Sequence, residues 1–363
     1  MRLLITGIEN FVLFGTLLAL AGFALAWAVR SLAARTSREI RPERLTRVYT
    51  LALTIPPVAA AWLVAGALLP KSWLGEAAFD AAHAAPLHEL HLLSDLTASL
   101  EPALAYAAIM FVFAAALFAA WSSLRGYARV GKVVRRLEMN ATQPAAGQVA
   151  LVKRIAASRG LHVGLVMSDY PLSFVWGFGR SRLVLSSGLL NALSPEELAG
   201  VLEHEAAHHA RRDNLFKLAL TMCSYASLSF PLSRLIFKWR SVEVEMICDE
   251  VAVARTSSPL DVASALVKLR RQTLVPSPYA SNGAAISSSF APDDMPSFER
   301  RVRRVIAFAD SMPDPAHAAR LSQTPKGAAF VAASLMMGTL FALALFAPLA
   351  LHRAAESVIH IIK

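Results

Sequence analysis

Two histidines and a glutamate near the middle of the chain have the spacing of a zinc peptidase site. The stretch His204-Glu205-Ala206-Ala207-His208 reads H-E-x-x-H. Residues four apart share one face of a helix, so both histidines can bind one zinc ion while Glu205 lies near enough to hold a water molecule. Zinc lowers the pKa of such a water to about 7, and a carboxylate can pass its proton to a leaving amine. The spacing therefore predicts metal-assisted hydrolysis of peptide bonds.

The residues before this motif predict the helix that the motif requires. Ser194-Pro195-Glu196-Glu197 is a helix-start sequence, in which Ser194 is the N-cap and Glu197 closes a capping box. Apolar residues then recur at helical spacing, namely Leu198, Val201, Leu202 and Ala206. A pair of surface histidines on an exposed helix is the alternative, and this context argues against it.

A catalytic zinc site has three protein ligands and an open position, so a third ligand must come from elsewhere. The position six residues after His208 is Asn214, which excludes a third histidine there. Downstream, Glu245 and Asp249 share a helical face. Glu245 can bind zinc while Asp249 hydrogen-bonds the outer nitrogen of a ligand histidine. The alternative is that the acidic run 242–250 is only a solvated turn.

Four apolar runs predict a multi-pass membrane protein. Apolar residues make up 55% of the chain and charged residues only 17%, an unusual balance for a soluble protein. Each run has about the 20 residues that a helix needs to cross the hydrocarbon core of a bilayer. The runs cover residues 11–29, 48–69, 103–124 and 328–351.

Basic residues predict how the chain is oriented in the membrane. Arginines are concentrated in 30–47, whereas the loop 70–102 is mostly acidic, so the positive-inside rule places 30–47 in the cytoplasm and the N-terminus outside. The predicted domains are a three-helix membrane region over 1–124, a cytoplasmic zinc metallopeptidase domain over 125–326, a fourth membrane helix over 328–351 and an outside tail over 352–363. This topology explains much of the net charge of +10, so the expected partner is the lipid bilayer and not a nucleic acid.

The cytoplasmic domain is predicted to have an α+β, zincin-like fold. Three β-like runs, 161–167, 173–177 and 181–186, precede the zinc helix. Their edge strand can align an extended substrate beside the metal, or the strands can merely support the helix. The apolar segment 215–237 predicts a helix that lies against or dips into the inner leaflet, and a fully buried domain helix is the alternative. A basic helix is predicted over 298–309, between loops at 274–297 and 311–326.

Two further polar side chains near the motif have open roles. Asp213 either contacts the site or only ends the zinc helix, and the sequence favours neither. Cys248 beside Asp249 can be imagined as a metal ligand, but a buried thiol is the more typical role. The chain has only two cysteines, Cys223 and Cys248, and no disulfide is expected between them in the cytoplasm.

These motifs resemble the BlaR/MecR-type antibiotic-sensing membrane metallopeptidases. The resemblance rests on residues 174–213 around H-E-x-x-H, and on Glu245-Met246-Ile247-Cys248-Asp249, which is similar to that family's E-x-x-C-D. It extends to the order of membrane helices and zinc domain, and so covers nearly the whole chain. The Ste24-like and heat-shock membrane proteases share H-E-x-x-H and E-x-x-x-D.

The resemblance implies a gluzincin in the bacterial inner membrane. His204, His208 and Glu245 would bind Zn²⁺ and Glu205 would be the base. It also implies signal transduction, in which an outside stimulus activates cleavage of a protein substrate such as a transcriptional repressor. The sequence leaves the oligomeric state open, and a homo-oligomer is one of the partners considered. Only about a dozen residues follow the last apolar run, so covalent β-lactam sensing by this chain is not expected. A membrane-protein quality-control protease and a non-catalytic zinc-containing transducer are the alternatives.

Overall fold

A computed structural model of the chain describes residues 2–35, 40–68, 146–177, 181–226, 230–273 and 295–323, with scattered helical positions between 114 and 135. Within these residues the fold is mostly helical and has one small mixed sheet. The helices are α1 (Arg2–Arg35), α2 (Pro42–Leu68), α3 (Ala146–Ser158), α4 (Ser187–Ala192), α5 (Pro195–Arg211), α6 (Asp213–Ala226), α7 (Phe230–Thr256), α8 (Pro259–Thr273), α9 (Met295–Ala307) and α10 (Pro315–Leu321). The strands are β1 (His162–Val166), β2 (Ser173–Trp176) and β3 (Arg182–Ser186).

The described residues contain one candidate membrane span where the sequence predicts four. Helix α1 contains the first apolar run, and α2 contains the second run as far as Leu68. Of these two helices, only α1 has a stretch, Phe14–Arg35, that is long and apolar enough to cross a membrane by length and composition. In α2 the side chains of Leu45, Tyr49 and Leu53 are covered by protein. The third run, apart from isolated helical positions, and the fourth run lie outside the described residues, as do the loop 70–102 and the tail 352–363.

The predicted sheet forms immediately before the zinc helix. The strand order is β1-β3-β2, with β1 parallel and β2 antiparallel to the central β3. Leu183, Val184 and Leu185 of β3 are buried in succession because neighbours cover both faces of the central strand. Each predicted β-like run contains one of the strands. β2 is an edge of the sheet that contacts α5, so it can contribute directly to the site.

Helix α5 begins as predicted, with a capping box. The Ser194 hydroxyl accepts from the backbone N–H of Glu197 at 3.2 Å, and the Glu197 carboxylate accepts from the backbone N–H of Ser194 at 2.8 Å. The helix crosses the main core, where Leu198 and Leu202 are fully buried. Its neighbours α3, α7 and α8 pack against it on several sides, so the H-E-x-x-H motif lies within the packed part of the domain.

The apolar segment 215–237, predicted as one helix, is divided between α6 and α7. Its side chains pack against the first two helices, because Phe216, Leu220 and Ile236 share a core with Leu45 and Tyr49. This face of the segment is therefore covered by protein, whereas Leu215 and Leu235 of the same segment are exposed, so the segment is not fully buried as the alternative interpretation required.

The C-terminal part of the described chain differs from the sequence prediction at one element. The basic helix predicted over 298–309 is α9, but the predicted loop 311–326 contains the short helix α10. Asp314 caps α10 by accepting from the backbone N–H of Ala316 at 2.9 Å, and a proline follows at the first helical position. Ala318 and Leu321 then pack against α7, which explains why this segment is helical.

Candidate metal centre

The two histidines of the motif face each other across one turn of α5. Their Nε2 atoms are 3.2 Å apart, and the rings meet edge to face. The side chain of His204 is fully buried and that of His208 is 12% exposed. Because two ring nitrogens approach so closely on one helical face, a shared cation between them is the natural partner for both.

Glu245 on α7 completes a triangle with the two histidines. Its Oε2 lies 3.4 Å from His204 Nε2 and its Oε1 lies 3.5 Å from His208 Nε2. Ligands bound tetrahedrally to zinc at about 2.0–2.1 Å lie about 3.3–3.4 Å from one another. The three separations therefore fit a zinc ion. Glu245 is also 17% exposed, so the triangle has an open side on which a fourth position can face a substrate.

The outer nitrogen of each histidine lies against an aspartate carboxylate, which can only accept a hydrogen bond. His204 Nδ1 lies 2.9 Å from Asp249 Oδ1, and His208 Nδ1 lies 2.9 Å from Asp213 Oδ2. Asp213 reaches this position because Arg212, at the end of α5, adopts the left-handed conformation with φ 54° and turns the chain back toward the motif. The aspartates leave the two Nε2 atoms directed at each other, the arrangement that a metal requires.

Neighbouring positive charges keep the Asp213 and Glu245 side chains ionised. Burial raises the pKa of Asp213, but Arg211 and the hydrogen bond to His208 outweigh burial and bring the pKa to about 2. Burial also raises the pKa of Glu245, yet His208 and Arg301 hold it below its ordinary value. Both groups are therefore carboxylates at neutral pH, which is the form that binds a cation or accepts from a ligand histidine.

Glu205 points from α5 toward the sheet and not toward the aspartates. Its Oε1 accepts from the Ser173 hydroxyl of β2 at 3.0 Å, whereas its buried Oε2 has no hydrogen-bond partner among the described residues. Burial raises the pKa of Glu205 above its ordinary value. A buried carboxylate with one unused oxygen and a raised pKa has the properties of a general base.

Arg301 on α9 is a part of the centre that the sequence did not reveal. Its fully buried guanidinium donates to both oxygens of Asp249, from Nε at 2.7 Å and from Nη2 at 2.8 Å, and its Nη1 lies 3.3 Å from Glu245 Oε2. The Arg301 guanidinium thus connects the Glu245 carboxylate with the Asp249 carboxylate behind His204. The one available signal was the predicted basic helix, whose arginines are otherwise typical of a solvated face.

A second group of possible ligands lies on the other side of His208. It consists of His208, Asp213 and Cys248, and the Cys248 thiol is 3.6 Å from His208 Nδ1. Cys248 is buried and not part of a disulfide. This group would bind a metal through His208 Nδ1, whose proton is needed for the hydrogen bond to Asp213, whereas the group with Glu245 uses the other ring nitrogen, Nε2.

β2 is an edge strand beside the metal centre, and the peptide groups on its outer side do not pair with another strand of the sheet among the described residues. Leu172 accepts from the backbone N–H of Ser186 at 3.0 Å, so the peptide groups of Leu172 face β3 and those of Ser173 face the open edge. Further along, the Asn214 amide donates to the carbonyls of Val175 at 2.8 Å and Gly177 at 3.3 Å. The Asn214 side chain therefore occupies the carbonyl groups at the far end of this edge. This is the position, six residues after His208, at which the sequence excluded a third histidine.

Comparison with known proteins assigns the segment that carries these residues. Residues 149–272 match the family described as Peptidase family M48. Over this segment the chain is similar to a family of zinc metallopeptidases. It contains the cluster of His204, His208 and Glu245, and zinc is the metal on which M48 peptidases depend, so the predicted enzyme class and cofactor are confirmed.

A more distant similarity concerns a single part of the chain. A protein described as "Protease HtpX homolog" from Acidiphilium cryptum (strain JF-5) is 37% identical over 121 residues, which are 30% of this chain and 39% of that protein. The chain thus matches less than half of the length of this relative. The similarity supports the predicted zinc peptidase class at the level of an M48, HtpX-like protease, and α1 can anchor such a domain in a membrane.

Proposed function

We propose that the chain is a membrane-bound zinc endopeptidase in which His204, His208 and Glu245 bind the metal. The observation that supports this most strongly is the cluster of donor atoms: the two Nε2 atoms are 3.2 Å apart, and Glu245 places Oε2 at 3.4 Å from one of them and Oε1 at 3.5 Å from the other. Asp249 and Asp213 orient the two histidines from behind. Glu205 is the general base.

The chain's own side chains account for the steps of hydrolysis. Bound zinc supplies Lewis acidity that polarises the scissile carbonyl and the attacking water. Glu205 takes a proton from that water with its unpartnered Oε2 and delivers the proton to the leaving amine nitrogen. The Ser173 hydroxyl holds Oε1 and so keeps the carboxylate turned toward the substrate. The carbon–nitrogen bond breaks, and the products are a carboxylate and a free amine.

The open edge of β2 is the proposed binding site for the substrate backbone. An extended peptide that pairs with the peptide groups of Ser173 would pass directly in front of Glu205. Asn214 blocks continued pairing at Val175, so few residues on that side of the scissile bond can pair with the strand. This geometry favours an unfolded or flexible segment as the substrate and disfavours a folded surface.

The membrane arrangement is also part of the proposal. α1 anchors the domain, and arginine-rich residues 30–47 place residues 125–326 in the cytoplasm of a bacterium, with the N-terminus outside. Residues 1–124, 328–351 and 352–363 keep the membrane and outside assignments predicted for them, and homo-oligomers remain compatible with the described residues. Substrates would then be cytoplasmic or membrane-associated proteins.

Two substrate classes follow from different observations. Cleavage of a regulator such as a transcriptional repressor is favoured by the E-x-x-C-D sequence at Glu245–Asp249 and its resemblance to the antibiotic-sensing family. Quality control of membrane proteins is favoured by the similarity to an HtpX homologue. The burial of Glu205 beside the triangle argues against a non-catalytic transducer, because a structural zinc site has no use for it.

A trapping experiment with Glu205→Gln tests this proposal. The variant should keep one zinc per chain and lose cleavage by about 10²–10⁴-fold, the usual contribution of a general base. Glu196→Gln, at an exposed position of the same helix, is the matched control and should cleave normally. Proteins retained by the inactive variant are identified by mass spectrometry. A single repressor would favour signalling, and many damaged membrane proteins would favour quality control.

Two outcomes would contradict the assignment of roles. Normal cleavage by Glu205→Gln would exclude Glu205 as the base. A full zinc content in Glu245→Ala would exclude Glu245 as the third ligand.

A further inference from the structure

A cavity of about 220 Å³ lies where α1 and α2 meet the zinc domain. Its walls come from the C-terminal turns of α1, the first turns of α2, the middle of α7, and α9. Apolar side chains, among them Ile40, Leu45 and Met246, form most of the lining, and three charged side chains complete it: Arg30, Glu243 and Arg300. The cavity shares no lining residue with the metal centre.

The position of the cavity along α1 corresponds to the headgroup level of a bilayer. The candidate span ends at Arg35, and Arg30 lies near that end. Leu25, Trp27 and Leu32 on the same stretch are each more than half exposed, so this surface of α1 is available to lipid. Tryptophan and arginine near the end of a spanning helix are typical of the membrane interface. A lipid headgroup can therefore enter the cavity without leaving the bilayer.

The charged side chains of the cavity favour a ligand that carries both an anionic group and a hydrogen-bond donor. Arg30 and Arg300 contribute two positive charges. Glu243 is 1% exposed, and its Oε1 forms a short contact with Arg300, whereas its Oε2 has no hydrogen-bond partner among the described residues. An unpaired carboxylate oxygen that is buried costs free energy, so a ligand with a cationic N–H group would stabilise it. A purely anionic headgroup leaves that oxygen unpaired.

We propose that this cavity binds the headgroup of an ethanolamine phospholipid. Arg30 and Arg300 contact the phosphate, and Glu243 accepts a hydrogen bond from the primary ammonium. Pockets for drug-sized molecules have about 300–1,000 Å³. The smaller volume here suits a headgroup and the start of its apolar chains, which would lie along Ile40 and Leu45. Glu243 and the metal-binding Glu245 are on the same helix, so this lipid would contact the element that carries the third ligand.

Native mass spectrometry of the full chain in neutral detergent tests the proposal without any cleavage assay. Dioleoyl phosphatidylethanolamine, phosphatidylglycerol and phosphatidylcholine are added in turn at equal concentration. The wild type should bind the ethanolamine lipid about tenfold more tightly than the other two, the usual effect of one charge-assisted hydrogen bond. Phosphatidylglycerol has no amine, and the quaternary nitrogen of phosphatidylcholine has no N–H to donate.

Variants separate the two halves of the headgroup. Glu243→Gln should lose the tenfold preference for the ethanolamine lipid. Arg30→Gln should weaken binding of all three lipids about tenfold, and Arg30→Lys should restore most of it. Arg47→Gln, exposed in the same basic segment and outside the cavity, is the matched control and should bind as the wild type does.

Three results would overturn the proposal. The first is equal binding of ethanolamine and glycerol lipids by the wild type, a comparison that needs no variant to fold. The second is an unchanged ethanolamine preference in Glu243→Gln. The third is displacement of the lipid by free phosphoethanolamine at the lipid's own concentration, which would make a soluble compound the ligand.

Discussion

Replacing Arg301 with methionine should destabilise the domain more than any other arginine substitution on α9. The side chain is fully buried, and it donates twice to Asp249 and lies 3.3 Å from Glu245. Removing one partner of a buried ion pair costs about 3–5 kcal/mol, because the remaining charge stays uncompensated. For a domain of 150–250 residues this corresponds to a fall in Tm of about 6–20 °C, at about 2–4 °C per kcal/mol.

Thermal unfolding of the detergent-solubilised full chain at a fixed scan rate measures this effect. Arg303→Met is the matched control, since Arg303 is exposed two positions further along the same helix. Its Tm should change by less than the equivalent of about 0.5 kcal/mol. In the double variant Arg301→Met with Asp249→Asn, much of the loss should be recovered, because no buried carboxylate then remains behind His204. Equal Tm values for Arg301→Met and Arg303→Met would show that Arg301 does not stabilise the domain by compensating the charges of Asp249 and Glu245.

Two further predictions concern the neighbours of the motif. Asp213→Asn should raise the zinc Kd by about 10–100-fold, measured by chelator competition, because the partner of His208 Nδ1 loses its charge; an unchanged Kd would mean that Asp213 only ends the helix. Burial raises the pKa of Glu197, but Lys268 and Ser264 hold it below its ordinary value of 4.5. Its contribution to stability is therefore complete above pH 4.5 and lost as pH falls through the lower folded pKa. Glu197→Gln should lose less stability than the wild type between about pH 5 and about pH 3, and parallel losses would contradict the assignment.

Much of the site could be predicted because its signals are local. The spacing of His204 and His208, the capping box from Ser194 and the shared face of Glu245 and Asp249 each depend on one helix and its period. The three strands were predictable for the same reason, since each short apolar run is bounded by turn residues. The structure places all of these elements together without altering any of them.

The other residues of the site could not be predicted, because their roles depend on contacts between residues that are distant in sequence. Arg301 is 52 residues from the aspartate it pairs with, and its helix carries three other arginines that are partly or fully exposed, so nothing local distinguishes it. Asp213 reaches His208 only because Arg212 adopts a left-handed conformation that non-glycine residues rarely show. Ser173 reaches Glu205 because β2, and not β1, is the edge beside α5.

The apolar segments show that hydropathy does not predict whether an apolar helix contacts lipid or protein. Hydropathy predicted membrane contact for the run in α2 and for residues 215–237. Many described side chains of the run in α2 are buried, whereas residues 215–237 pack on α2 through one face, and Leu215 and Leu235 are exposed. A helix that is apolar on all sides is equally compatible with burial by lipid and with burial by other helices, so hydropathy alone does not predict which faces contact protein.

Zinc K-edge X-ray absorption of the purified full chain measures directly whether zinc binds between His204, His208 and Glu245. Imidazole nitrogens and a carboxylate oxygen give Zn–N and Zn–O distances of about 2.0–2.2 Å, whereas a thiolate gives about 2.3 Å. We expect two imidazoles with the remaining ligands oxygen and no sulfur, in the wild type and in Cys248→Ser alike. A Zn–S distance in the wild type that disappears in Cys248→Ser would place the metal with His208, Asp213 and Cys248, and would contradict zinc binding by His204, His208 and Glu245.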